Sequence, residues 1–152
     1  MRALKPQSGA PALLFDRLTD AQPGIAFEPV PKRVLSVEEL RASVEREITT
    51  LLATRAPEPE HVLDGRERSA VDYGLADISH YFTRDREDTE RLVRLVARTI
   101  AAYEPRLKKV AVRVDRTNRQ HRLAELTIEG EIRVGRIVEP VSFPVAVQAP
   151  GA

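Results

Sequence analysis

The sequence predicts an α+β domain in which two long amphipathic helices pack on a small antiparallel β-meander. Three observations carry this. Apolar residues recur at helical spacing over two separate stretches, Val37 to Leu52 and Leu92 to Tyr103. After Lys109 the pattern switches to alternation, which is the strand period. Prolines close both helical stretches, Pro57 after the first and Pro105 after the second. Helices followed by a run of strands place the chain in the α+β class rather than among alternating α/β folds.

The chain divides into residues 1–32, a tail with a short docking helix and a proline-rich connector; 33–147, a single α+β domain; and 148–152, a tail. At 152 residues one domain has enough chain to bury a core. Residues 1–10 are small and polar and are expected to be mobile. Leu13, Leu14, Phe15 and Leu18 make a short helix whose apolar face has nothing beside it in sequence. That face must dock, either on its own domain or on a partner. The connector that follows carries Pro23, Pro29 and Pro31 and can be neither a helix nor a central strand.

Ser36 followed by Glu39 is a capping box, and it opens the first long helix. Val37, Leu40, Val44, Ile48, Leu51 and Leu52 form its apolar stripe. Ala56 to Gly65 reads as a polar loop, and Arg66 to Phe82 as an irregular segment with one or two helical turns, broken at Gly74. Asp85 is the expected N-cap of the second long helix, with Glu87, Asp88 and Glu90 at the positive end of its dipole. Leu92, Val93, Leu95, Val96, Ile100 and Tyr103 form its apolar face, while Arg91, Arg94 and Arg98 form a basic stripe.

Three strands follow. Val110, Val112 and Val114 mark the first; Leu126, Ile128, Ile132 and Val134 mark the second across Gly130; Val141, Phe143, Val145 and Val147 mark the third. Pro140 and Pro144 confine the third strand to an edge and leave Val145 and Val147 free to pair with a neighbouring sheet.

Between helix and meander stands Glu104-Pro105-Arg106. Proline ends the helix at the residue before it and fixes its own φ. In an extended segment, residues two apart point the same way, so Glu104 and Arg106 would project together and offer an acceptor beside a bidentate donor. One reading is a local surface ion pair worth ~0–1 kcal/mol. The other is a partner anchor, whose truncation would leave the melting temperature nearly unchanged and abolish assembly.

This tripeptide, in this position, resembles the signature of the phage baseplate wedge family called GPW or gene-25-like, and of its type VI secretion branch (TssE). Three further stretches agree in order. Pro11 to Leu18 resembles the family's amino-terminal "LLDRL" segment. Leu51-Leu52-Ala53-Thr54-Arg55 resembles "LLNTR", with Ala53 in place of Asn. Ser69 to Asp77 resembles "SVLNYGLPD", with Asp72 for Asn and Ala76 for Pro. The resemblance implies a fold related to the assembly domain of the contractile sheath. It implies a structural role in a type VI secretion baseplate wedge, with TssF- and TssG-like larger subunits and sheath proteins as partners. A phage or phage-like particle subunit is the close variant, and a lysozyme-like muramidase the remote one. The partner-binding residues it suggests are Glu104, Pro105, Arg106, Leu13, Leu14, Leu18, Val145 and Val147.

Composition narrows the chemistry. Net charge is +1, so bulk charge gives no argument for nucleic acid or membrane. Of 24 basic side chains only four are lysines, a bias that suits protein interfaces or follows from a GC-rich genome. Cysteine is absent, which excludes disulfides and thiolate chemistry and fits a reducing compartment. The first residues lack the apolar stretch of a secretory signal, and no run approaches a membrane span, so the expected location is the cytoplasm. His61, His80 and His121 lack metal-ligand spacing, and no phosphate loop or nucleophile triad occurs. Tryptophan is absent, aromatic content is 5%, and Glu104 stands beside Arg106, a poor setting for a glycosidase acid. The expectation is therefore no enzyme, no cofactor and no small-molecule substrate.

Overall fold

The computed structural model describes residues 10–11, 18, 24, 34–82, 86–118 and 120–149. Its elements run β1 (Ala10–Pro11), β2 (Val34–Leu35), α1 (Val37–Ala53), α2 (Glu60–Leu63), a 3₁₀ turn at Ala70–Asp72, a second at Ser79–Tyr81, α3 (Arg86–Tyr103), then β3 (Lys108–Asn118), β4 (Leu123–Val134) and β5 (Ile137–Gln148). The last three strands form one antiparallel sheet in the order β3-β4-β5. The α+β architecture expected from the periodicities is the one observed.

Helix α1 starts as its sequence dictates. The Glu39 backbone N–H donates to Ser36 Oγ at 3.2 Å, and the Ser36 N–H donates back to Glu39 Oε2 at 2.9 Å. Leu40, Val44, Ile48, Leu51 and Leu52 are buried as the stripe predicts, and Ser43 is buried with them. In α3 the buried positions are Leu92, Leu95, Val96, Thr99 and Ile100. The inner face of the sheet supplies Leu126, Ile128, Ile132, Phe143, Val145 and Val147, and all of these share one core with the helices. The expected N-cap Asp85 lies outside the described residues.

Gly130 explains a break in the β4 pattern. It falls on the core side between Ile128 and Ile132, and a Cβ there would lie 2.7 Å from Leu107 Cδ1 and 2.9 Å from the Lys108 carbonyl. Leu107, itself buried, occupies the volume that a side chain at 130 would take. The same place carries a register shift in β3 between Lys108 and Ala111, and Lys109 adopts φ 53°.

Both ends of the domain reach further than expected. Ala10 pairs with Leu35 and is buried in the common core, so it is not part of a mobile tail. At the other end Ala149 is buried and its N–H donates to the Arg122 carbonyl at 2.9 Å, which extends β5 pairing beyond Val147.

That last bond fixes the facing of the edge strand. Register in the β4–β5 ladder runs unbroken from Leu123↔Gln148 to Val134↔Ile137. Backbone groups alternate between the two sides of an antiparallel strand. If Ala149 faces β4, so do Val147, Val145, Phe143 and Val141. Pro140, Ser142, Pro144, Ala146 and Gln148 face outward, which is where proline loses no ladder bond. The expectation that Val145 and Val147 are free to pair with a neighbour is corrected here. Their backbone groups face β4, and their side chains are in the core.

Candidate functional site

The Glu104-Pro105-Arg106 corner is a turn rather than an extended bend. The Glu104 N–H donates to the Ile100 carbonyl at 2.8 Å and ends α3; the Leu107 N–H donates to the Glu104 carbonyl at 3.2 Å. Proline stands at the second position of this four-residue turn, the place its fixed φ favours. The turn folds Arg106 back on Glu104. Glu104 Oε1 accepts from Arg106 Nε at 2.7 Å and from the Arg106 backbone N–H at 3.1 Å, and Oε2 accepts from Nη2 at 2.5 Å. Arg106 Nη1 donates to Ser43 Oγ on α1 at 2.9 Å. Glu104 and Ser43 are buried, and Arg106 is mostly so. The pair was expected to project from the surface. It faces inward because the turn, unlike a strand, brings residues two apart into contact. Of the three motif residues Pro105 is the exposed one.

Beside this corner lies a groove of about 520 Å³. Its walls are Ala10, Leu40, Pro105, Ile132 and Val138, and Arg106, Lys108, Lys109, Glu131 and Arg133 line it as well. Lys109 Nζ is 2.8 Å from Glu131 Oε1. Val138 is 47% exposed although apolar, as is Ile137 beside it at 60%. Sequence reading missed this groove because its walls come from β1, α1, the corner and the β4–β5 hairpin. Ser43 was missed too, although a polar residue between Leu40 and Val44 on an apolar stripe was the available signal.

The other anticipated residues are not at the corner. Val145 lies opposite Leu126, five residues along β4 from Glu131, or roughly 17 Å at ~3.4 Å per residue. Leu18 is exposed. Leu13 and Leu14 lie outside the described residues.

The stretches around 51–55 and 69–77 meet at the far end of α1. The Leu75 N–H donates to the Thr54 carbonyl at 2.8 Å and the Ala56 N–H to the Leu75 carbonyl at 2.9 Å, a parallel bridge. Gly74, at φ 122°, is required there: a Cβ would lie 2.6 Å from the Thr54 carbonyl oxygen. Arg55 Nη2 pairs with Asp77 Oδ2 at 2.7 Å. Asp72 is buried, accepts from the Ser69 N–H and Oγ at 2.9 Å each, and is met by Arg66. Tyr103 closes the loop over α3, its hydroxyl donating to the Ser69 carbonyl at 2.9 Å and its ring edge-on to Tyr73.

The Ser69 backbone bond, with the nearby arginines, holds Asp72 below the ordinary carboxylate range. Ser79 does the same for Asp77, first through its hydroxyl and then through its N–H. Burial raises Tyr73, Tyr81 and Tyr103 above the ordinary phenol, and in Tyr81 the hydrogen bond to Glu60 adds to it. The two buried carboxylates among the described residues, Asp72 and Glu104, are each held by an arginine. Among the described residues no group of three His, Cys, Asp or Glu side chains stands ready for a metal ion, and no helix is long and apolar enough to cross a membrane.

Residues 38–136 match the family model described as baseplate wedge protein gp25. A solved structure described as the baseplate complex from the type VI secretion system matches at TM-score 0.51 and 24% identity, over 74% of this chain and 97% of that one. Another, described as a putative tail lysozyme from Geobacter sulfurreducens, matches at TM-score 0.39 and 17% identity, over 78% of this chain and 98% of that one. Comparison with curated proteins gives no match.

Proposed function

The chain belongs to the baseplate wedge protein gp25 family, and we propose that it serves as the small structural subunit of a type VI secretion baseplate wedge, joining larger TssF- and TssG-like subunits to the contractile sheath. The observation that carries this is the extent of the family match. It runs from the first turn of α1 through the Glu104-Pro105-Arg106 corner to the β4–β5 turn, which is the frame of the domain rather than one local motif. The fold likeness to a chain of a type VI baseplate is consistent with it. The engagement of both buried carboxylates by arginine favours a structural part over a muramidase.

In this reading the protein acts by geometry. The corner presents Pro105 and the neighbouring groove to one partner. The outer edge of β5 presents backbone groups at Ala146 and Gln148, unpaired among the described residues, to another, in the manner of strand addition. A relation to the sheath's own assembly domain would account for sheath docking at such an edge. Leu13, Leu14 and Leu18 would add an apolar contact to a neighbouring subunit.

The test is co-expression with TssF- and TssG-like wedge subunits, followed by affinity purification through this chain. A stable complex that nucleates sheath assembly is the expected result. Release of reducing sugar from peptidoglycan by the purified chain, abolished by a single Asp or Glu substitution, would overturn the structural reading.

A further inference from the structure

We propose that the groove beside the corner seats a partner segment that carries an apolar side chain flanked by carboxylates, supplied by a larger wedge subunit. This rests on the wedge reading above and deepens it, by naming the surface and the chemistry of its occupant.

The polar atoms of Glu104 and Arg106 are turned onto each other and onto Ser43, so the pair does not offer an open fork to a partner. What the corner does offer is Pro105, and behind it an apolar hollow. Leu40 and Ile132, both buried, line it together with Val138, which is half exposed and lies beside Arg133 on the outer face of the sheet. At about 520 Å³ it has the volume of a cleft that buries a small ligand, which leaves room for an apolar side chain and its neighbours. Ile137 and Val138 stand side by side as exposed apolar residues on the edge strand next to this hollow.

Charge decides the occupant. Lys109 is neutralised by Glu131 and Arg106 by Glu104. Among the described residues Lys108 and Arg133 have no ion-pair partner; both are exposed, and Arg133 lies directly across the ladder from Val138. An apolar hollow with two uncompensated cations selects an apolar residue with acidic neighbours and disfavours a basic segment. The inward Glu104–Arg106–Ser43 network then positions the wall of the groove rather than touching the partner.

The test uses the full chain co-expressed with the two larger wedge subunits. The variants are Val138→Glu, the double reversal Lys108→Glu/Arg133→Glu, and the double neutralisation Lys108→Gln/Arg133→Gln. Recovery of the complex should fall at least tenfold for Val138→Glu and for the reversal, and less for the neutralisation. Wild-type recovery should weaken as salt rises. Melting of each isolated variant should match the wild type. Loss of complex by the wild type itself would sink the wedge reading. A wild-type complex unaffected by Val138→Glu, or by the reversal, would overturn the groove alone. A lowered melting temperature in the reversal would show that Lys108 and Arg133 serve this chain's own fold rather than a partner. A wild-type dimer in light scattering that becomes monomeric in Val138→Glu would identify a second copy. Either result overturns the proposal.

Discussion

Arg106 grips both carboxylate oxygens of Glu104, at 2.7 Å and 2.5 Å, inside a turn and almost out of solvent. This changes what mutation at the motif measures. Removing one partner leaves the other charge buried and unpaired, which costs ~3–5 kcal/mol. For a chain of this size that is roughly 6–20 °C in melting temperature. Glu104→Ala and Arg106→Ala should each unfold well below the wild type, in contrast to the unchanged melting expected of an exposed anchor. Glu104→Leu/Arg106→Met should cost far less than the two alanine variants together, since no orphan charge remains. Thermal melts of the four proteins decide it. Arg106→Lys should behave nearly as badly as Arg106→Ala, because lysine cannot hold Oε1, Oε2 and Ser43 at once.

Acid should loosen the loop before the sheet. Asp72 and Asp77 titrate below the ordinary aspartate value of 3.8 when folded, so the unfolded chain takes up their protons first. Their contribution is complete above that value and is lost as pH falls through it toward the lower folded values. Urea midpoints should be flat from about pH 5 upward and fall below about pH 4. Asp72→Asn should start lower at neutral pH and show a shallower acid limb. An acid limb identical to wild type would show that Asp72 is not the group responsible.

The fold was readable where physics is local. Period, capping box and alternation are properties of neighbouring residues, so α1, α3 and the meander follow from the sequence. The corner was misread because its outcome depends on one dihedral choice. Glu104 and Arg106 point together in a strand, but in a turn they close on each other. The edge was misread for a related reason: an alternating sequence shows which side chains face the core, yet the direction of the backbone groups needs the register with β4. The groove was invisible, since Leu40, Ile132 and Val138 are joined only by the tertiary fold.

Gly130 should tolerate little. Alanine there brings its Cβ to 2.7 Å from Leu107 Cδ1 and 2.9 Å from the Lys108 carbonyl oxygen. Overpacking of this kind costs ~1–3 kcal/mol. Leu107→Ala alone should also destabilise, by leaving a void. Together the two should cost less than their sum, because the new methyl occupies space vacated by the leucine. Chemical denaturation of the double-mutant cycle measures the coupling, and strict additivity would contradict the contact.

Leu18 is exposed, so Leu18→Asp should leave the melting temperature within a degree or two of wild type, as surface changes usually fall within about ±0.5 kcal/mol. If the segment contacts a neighbouring subunit, the same change should weaken recovery of the wedge. Deleting residues 1–20 is a poorer probe, because it also removes Ala10 from the core.

The edge strand offers the sharpest separation of stability from assembly. Val145 faces β4, opposite Leu126, and Ala146 faces outward one residue later. Proline at 145 removes a donor to β4 and leaves a buried carbonyl without its partner, a loss of ~1–3 kcal/mol. Proline at 146 removes a donor that β4 never used, at a position equivalent to Pro140 and Pro144, which the strand already accommodates. Ala146→Pro should therefore melt close to wild type. If sheath subunits attach by adding a strand to β5, Ala146→Pro should still enter the wedge but fail to nucleate sheath, because it removes the outward donor between those of Ser142 and Gln148. Val145→Pro should show the reverse order of effects, with melting lowered first and sheath nucleation failing only as folding fails. Sheath growth on Ala146→Pro baseplates at the wild-type level would show that attachment does not use this edge.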